Sequence, residues 1–358
     1  MRVETDERSP AMRKIMSGKK PALLHANERG MTIIELMVAT TIGLFVLSVV
    51  GYAYISNKDS WKFNDQEARL QDRGRYIMSL LNADLRLAGF NGCIRGTDPD
   101  DFSMAPAAGL ASGFGKTELA ERLRDGVRVA SDAATGTTTT LNIFAPIEGG
   151  NFMQHADSAV EATSIASTRL TPEMLAMGHV SPAGAPSSVQ FVLIDDCQNM
   201  PEFVSVAALD PATGSIHMAG ATAPHKKDSV ITWYDWGGAA GLDGIVYTFA
   251  DNKLRRNGHL LADNVESFRV CLGQDGNGAD TIDIVNTVGF GTAASNFALT
   301  RSVHVDLVLA SALPVLDQPT TAAFNFCDSS TPGWTAASAD RRLRRLFSTS
   351  VTLRNKAR

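Results

Sequence analysis

Arg29-Gly30-Met31-Thr32-Ile33-Ile34-Glu35-Leu36-Met37-Val38 opens the stretch that decides how this chain is organised. A glycine closes a basic leader, and one carboxylate, Glu35, stands five residues beyond it. From Leu36 to Asn57 there follow 22 residues without a charge. As a helix at 1.5 Å per residue they cover about 33 Å, enough for a hydrocarbon core of about 30 Å. Arg13, Lys14, Lys19, Lys20 and Arg29 precede the run, which favours a cytoplasmic amino terminus. A carboxylate inside a spanning segment is costly and marks function by default. A cleaved secretory signal fits poorly, because the apolar run is long and no small-x-small site follows it directly.

The helix is expected to continue past the membrane. No proline occurs from Ala53 to Ala88, and Leu70, Ile77, Leu80, Leu81, Asp84, Leu85 and Ala88 form a helical stripe. One helix from Thr32 to Ala88 would be roughly 85 Å long. Its first half is apolar all round and its second half amphipathic against a head. Gly43, Gly51 and Gly74 are candidate bends, and Gly89 and Gly92 are stop signals.

Beyond the helix the sequence reads as β-rich. Residues 94–136 are loop-like apart from a short helix at Lys116–Arg124. Strands are expected at Thr138–Phe144, Ser188–Ile194, Phe203–Ala207, Val230–Trp236, Gly244–Phe249, Val265–Leu272, Ser302–Ala310 and Phe347–Leu353. Asn252-Lys253-Leu254 and Asn257-Gly258 read as turns, and 149–186 as an insertion without a period. The predicted fold is therefore α+β: a long amino-terminal helix on a mainly antiparallel sheet head. The domains are 1–30 (leader), 31–92 (helix, transmembrane over about 33–55) and 93–358 (head).

The chain has 358 residues and a net charge of −5. The leader holds seven basic and four acidic residues, so the remaining 328 carry −8. That acidity argues against a general nucleic-acid coat. Met12 and Met16 are alternative starts, which would shorten the leader. Cys93, Cys197, Cys271 and Cys327 form no CxxC pair and have no metal-ligand spacing. With the head outside the cytoplasm, the even count reads as two disulfides in any of three connectivities.

The leader, Gly30, the apolar run and Glu35 resemble the type IV prepilin signal shared by type IV pilins and pseudopilins. The resemblance implies cleavage between Gly30 and Met31, N-methylation of Met31, and assembly through the helix. Met31 stands where phenylalanine is usual. Glu35 is then expected to meet the free amino group of residue 31 in a neighbouring subunit. Ala68–Tyr76 and Leu81–Cys93 resemble the end of the long helix in PilW-type minor pilins. Asp195-Asp196-Cys197 with Phe203–Val206 is similar to that family's second cysteine region, and Asp340–Asn355 to its closing strand. The resemblance implies a pilin-like fold and the pairs Cys93–Cys197 and Cys271–Cys327. It implies a subunit that primes type IV pilus (fimbrium) assembly from the inner membrane, head in the periplasm, and ends at the extracellular tip. Its partners would be other minor pilins, the major pilin, the prepilin peptidase/methylase, the assembly platform and membrane lipid. The pilus would serve adhesion and twitching motility. A type II secretion pseudopilin shares the leader, and a tip adhesin or DNA-uptake module is the reading from another class.

Other constellations are weaker. Asp275, Asn277 and Asp280 sit at alternate positions suited to calcium, without the closing acid of an EF-hand. A plain turn is the simpler reading, and no other cofactor is implied. Arg341, Arg342, Arg344 and Arg345 read as a solvated edge leading into the last strand, and nothing interleaves aromatics with them for base stacking. Trp233, Tyr234 and Trp236 read as a packed corner rather than an adhesive face. Seven scattered histidines and the absence of any catalytic signature speak against an enzyme.

Overall fold

The computed structural model describes residues 30–90, 92, 103–104, 116–131, 137–146, 153–155, 160–166, 189–210, 215–226, 229–236, 244–277, 282, 284–287, 297–326, 334–336 and 339–356. The chain divides into two compact units, Met1–Lys58 and Asp59–Arg358, so the second half of the long helix belongs with the head. That helix, α1, runs unbroken from Ile33 to Arg86, through Gly43, Gly51 and Gly74. It stops before Gly89, whose φ of 69° suits a residue without a side chain.

The head is built from antiparallel sheets. The first has the order β4 (Met153–His155), β9 (Val230–Trp236), β6 (Val189–Asp195), β7 (Glu202–Asp210), β8 (Ser215–His225), β5 (Val160–Ala166). β1 (Ser103–Met104) joins β7 in parallel. The second has the order β12 (His259–Asp263), β11 (Lys253–Arg256), β10 (Ile245–Ala250), β3 (Thr138–Ile143), β2 (Val127–Ser131). The third has the order β14 (Ile284–Thr287), β13 (Val265–Gln274), β15 (Thr300–Pro314), β18 (Arg342–Thr352). β16 (Ala323–Phe324) and β17 (Trp334–Thr335) form a short ribbon. A second helix, α2 (Lys116–Asp125), has Leu119, Ala120 and Leu123 buried with Phe191, Leu193, Phe203 and Tyr234 of the first sheet.

The amphipathic half of α1 explains the main core. Leu70, Ile77, Met78, Leu81, Leu85 and Ala88 pack with Leu141, Tyr247, Leu254, Phe268, Val270, Val303, Val305, Leu307 and Val351 of the second and third sheets. Val303, Val305 and Leu307 are alternate residues of β15, so one face of that strand is turned to the helix. Gly74 is not a bend. It is buried, and a Cβ there would collide with the ring of Phe347 on β18. The helix keeps a glycine, at about 1 kcal/mol of propensity, because that ring occupies the space.

Asp84 lies on the same buried stripe and is fully out of water. Arg256 of β11 clamps it with two hydrogen bonds, Nε to Oδ2 at 2.8 Å and Nη2 to Oδ1 at 2.9 Å. The Tyr247 hydroxyl of β10 donates to the same carboxylate. Burial, reinforced by the Asp84 charge, pushes the Tyr247 pKa upward, so the phenol stays a donor. Burial opposes the Arg256 charge, but its bonds to Asp84 outweigh that and raise its pKa.

Three expectations are corrected. Lys253 and Leu254 belong to β11, and the turn before them is Asp251-Asn252, both at positive φ, as in the Asn257-Gly258 turn that follows. The stretch 149–186 supplies β4 and β5 to the first sheet, so it is not a bare insertion. Arg342, Arg344 and Arg345 lie inside β18 rather than ahead of it.

Removing one partner of a buried ion pair strands the other's charge, at about 3–5 kcal/mol. Asp84→Ala or Arg256→Ala should therefore destabilise the head by about that much in chemical denaturation. Arg73→Ala, which breaks a half-exposed pair with Asp263 (50% exposure on each side), should cost under about 1 kcal/mol.

Candidate functional site

The amino-terminal segment is constructed as the sequence suggests, with one addition. Gly30, Met31 and Thr32 precede the helix, and all are exposed. The Thr32 hydroxyl accepts a hydrogen bond from the Glu35 backbone N–H at 3.3 Å and faces the Glu35 Oε2 at 3.5 Å. Thr32-x-x-Glu35 is thus a capping arrangement that starts α1, a local signal the charge-and-hydropathy reading missed. A carboxylate in the first turn also meets the positive end of the helix dipole. Those contacts are local, and among the described residues Glu35 has no cationic partner. The apolar window of α1 has none of its residues buried. Ile33, Ile34, Leu36, Phe45 and Leu47 of α1 are exposed, as is Met31 just before it.

The cysteines lie in the head. Cys197 and Cys271 are both disulfide-bonded. Cys93 and Cys327 fall outside the described residues. Cys197 has a φ of 56° and sits in a tight turn: its N–H donates to Asp195 Oδ1 at 2.8 Å. Asp196 accepts from the N–H groups of Gln198 (2.9 Å) and Asn199 (2.7 Å). Partial burial opposes its charge, but those backbone donors win and hold its carboxyl well below the usual range. Gly92 lies against this turn; a Cβ there would collide with Asp195 Oδ2.

Residues 25–51 match the family model described as the prokaryotic N-terminal methylation motif. The chain is also similar to the pilin-like protein PilA3 of Thermus thermophilus, 36% identical over 78 residues, or 22% of this chain. It spans about a third (33%) of the length of that curated relative. No solved structure matches it. The amino-terminal segment is type IV pilin-like. The matched motif encloses Gly30, Met31 and Glu35, and the helix followed by antiparallel sheets is a pilin-like α+β layout. Motif and apolar helix together fit membrane anchoring and pilus assembly.

The other candidates in the chain are mostly occupied by structure. Asp275 is buried, lies 3.6 Å from Arg301, and donates its N–H to the Leu299 carbonyl. Asn277 is exposed, and Asp280 lies outside the described residues. Among the described residues no group of three or more His, Cys, Asp or Glu side chains could hold a metal. Trp233 and Tyr234 are fully buried, so neither offers an adhesive face. Tyr234 stacks on Phe144 with ring centres 5.4 Å apart and donates to the Phe90 carbonyl at 2.5 Å. His304 and Ser348 both address Oδ1 of Asp306. A Ser-His-Asp relay would need the histidine between the other two.

The arginine run is a network, not an open basic patch. Arg344 grips Asp340 with two bonds of 2.6 and 2.8 Å, and Glu266 with bonds of 2.6 and 3.1 Å. Arg342 bonds Ser311 O, Asn264 and Glu266, and Arg345 bonds Glu67 of α1 at 2.5 Å. The Arg344 bonds hold the Asp340 carboxyl down at about 2. A carboxylate depressed on folding stabilises the fold above its unfolded pKa of about 4. That stabilisation should fade as pH falls from about 4 towards about 2. Asp340→Asn should flatten this limb of the stability profile in acid titration of the denaturation midpoint.

Proposed function

We propose that this chain is a PilW-type minor pilin that supports or primes type IV pilus assembly and takes its place at the pilus tip. Glu35 carries the reading. It is the one carboxylate in an otherwise apolar, exposed segment, and its described contacts are the local ones to Thr32. In a bilayer or a packed helix bundle such a charge needs a partner from outside the chain. Cleavage after Gly30 would create one on every subunit, the α-amino group of Met31. The same chemistry makes prepilin peptidase/methylase and other pilins the natural partners, and it asks for no enzymatic role. A large unit such as Asp59–Arg358 is more easily tolerated at a filament end than in a repeating shaft.

Two further features belong to this reading. The pairing Cys93–Cys197 is supported by Gly92 lying against Asp195 beside the Cys197 turn. The pairing Cys271–Cys327 is supported by Phe326, next to Cys327, whose ring lies 4.5 Å from the Arg269 guanidinium, two residues from Cys271 on β13. A non-reducing peptide map that linked Cys93 to either of the other two would contradict both.

Glu35→Ala should leave membrane insertion intact and abolish or sharply reduce incorporation into pili, scored in a strain carrying only that variant. Glu35→Gln separates the two roles, because it keeps a capping residue and removes the charge. Incorporation of Glu35→Gln at the normal level would assign the residue to helix capping alone and remove the main support for the assembly role. A processed chain found only in membranes and never in sheared filaments would favour the pseudopilin alternative.

A further inference from the structure

Two tyrosines near the far end of the apolar segment are unlike the hydroxyl side chains before them. Thr40, Thr41 and Ser48 fold their hydroxyls back onto the helix, donating to the carbonyls of Met37, Val38 and Phe45 at 2.7–3.1 Å. They are therefore satisfied in any surroundings. Tyr52 and Tyr54 are 78% and 68% exposed, and their phenols stand too far from the backbone for such a bond. A phenol of this kind places its ring in an apolar medium and its hydroxyl where donors and acceptors are available.

Their position meets that demand. Tyr52 lies 19 residues and Tyr54 lies 21 residues beyond Ile33, the first residue of α1. At 1.5 Å per residue they stand about 29 and 32 Å along the axis, at the far boundary of a hydrocarbon core of about 30 Å. Their directions matter as much. Two residues at 100° each put the rings about 200° apart, on opposite sides of the helix. A patch for one protein partner needs a single face. An anchor to a layer of headgroups needs only a common depth, with rings on any side.

We propose that Tyr52 and Tyr54 form an interfacial anchor that binds the headgroup layer of a phospholipid bilayer, in the leaflet opposite the amino terminus. The inference rests on the membrane placement of the apolar segment. The anchor fixes the depth of the helix before assembly. It thereby holds Glu35, 17 residues before Tyr52, about 26 Å away, near the other surface. Subunits with this anchor would present their carboxylates at one level in the bilayer.

The test uses the full chain in phosphatidylcholine–phosphatidylglycerol vesicles at a low protein-to-lipid ratio. A Ser56→Cys substitution one turn beyond Tyr52 takes a polarity-sensitive fluorophore. Among the described residues no free cysteine competes for the label. Replacing both tyrosines by leucine lengthens the apolar stretch, so position 56 should sink. Quenching by aqueous iodide should fall at least about twofold, with a blue-shifted emission. Replacing both by tryptophan should restore the parent values. Insertion with unchanged quenching in the leucine variant would overturn the anchor alone. Failure of the parent chain to insert would overturn the membrane placement and the anchor with it.

Discussion

Asp84 is a carboxylate taken wholly out of water in the middle of a helix stripe, and the head depends on how that charge is met. A lone ionised group there would cost more than the surrounding apolar contacts could offset. Arg256 and Tyr247 meet it from two neighbouring strands of the second sheet. The bidentate geometry fixes the rotation of α1 as well as its distance from the sheet. The surrounding side chains, Leu81 and Leu85 on the helix and Leu254 on β11, then pack around a register already set.

Glu35 sits in the same helix under the opposite terms. Both residues are carboxylates on one continuous α1, yet Asp84 is satisfied by its own chain and Glu35 only by a capping threonine. The contrast gives the two halves of the helix separate duties. The half after Lys58 is committed to the head by buried contacts, by Phe347 over Gly74, and by Arg345 on Glu67. The half before it keeps its apolar surface and its one charge available.

Much of this layout could be read from the sequence because its signals are local. The charge-free run, the 3.6-residue stripe and the alternation of Val303, Val305 and Leu307 all lie within a few residues of one another. What escaped was set at long range. The first two residues of β11 read as part of a turn because Lys253 and Leu254 follow Asn252, and the partner that ties the strand to α1 through Arg256 lies 172 residues away. The arginines of β18 looked solvated because Glu266 is 78 residues distant from Arg344. β5 and β8 were missed because Ala, Gly, Ser and Thr give them no clean alternation. The cap of Thr32 with Glu35 is by contrast a local signal, a threonine three residues ahead of a glutamate at the start of an apolar run. Asp84 itself carried a usable warning: an acidic residue on an apolar stripe calls for a buried cation somewhere in the fold.

Assembly through α1 depends on processing at the boundary between the basic leader and the apolar helix. The most direct measurement is peptide mass spectrometry on filaments sheared from cells expressing the full chain. The expected product is a peptide that begins at N-methylated Met31. Peptides that run through Gly30 uncut, in filament and membrane fractions alike, would contradict it and leave a plain signal-anchored protein.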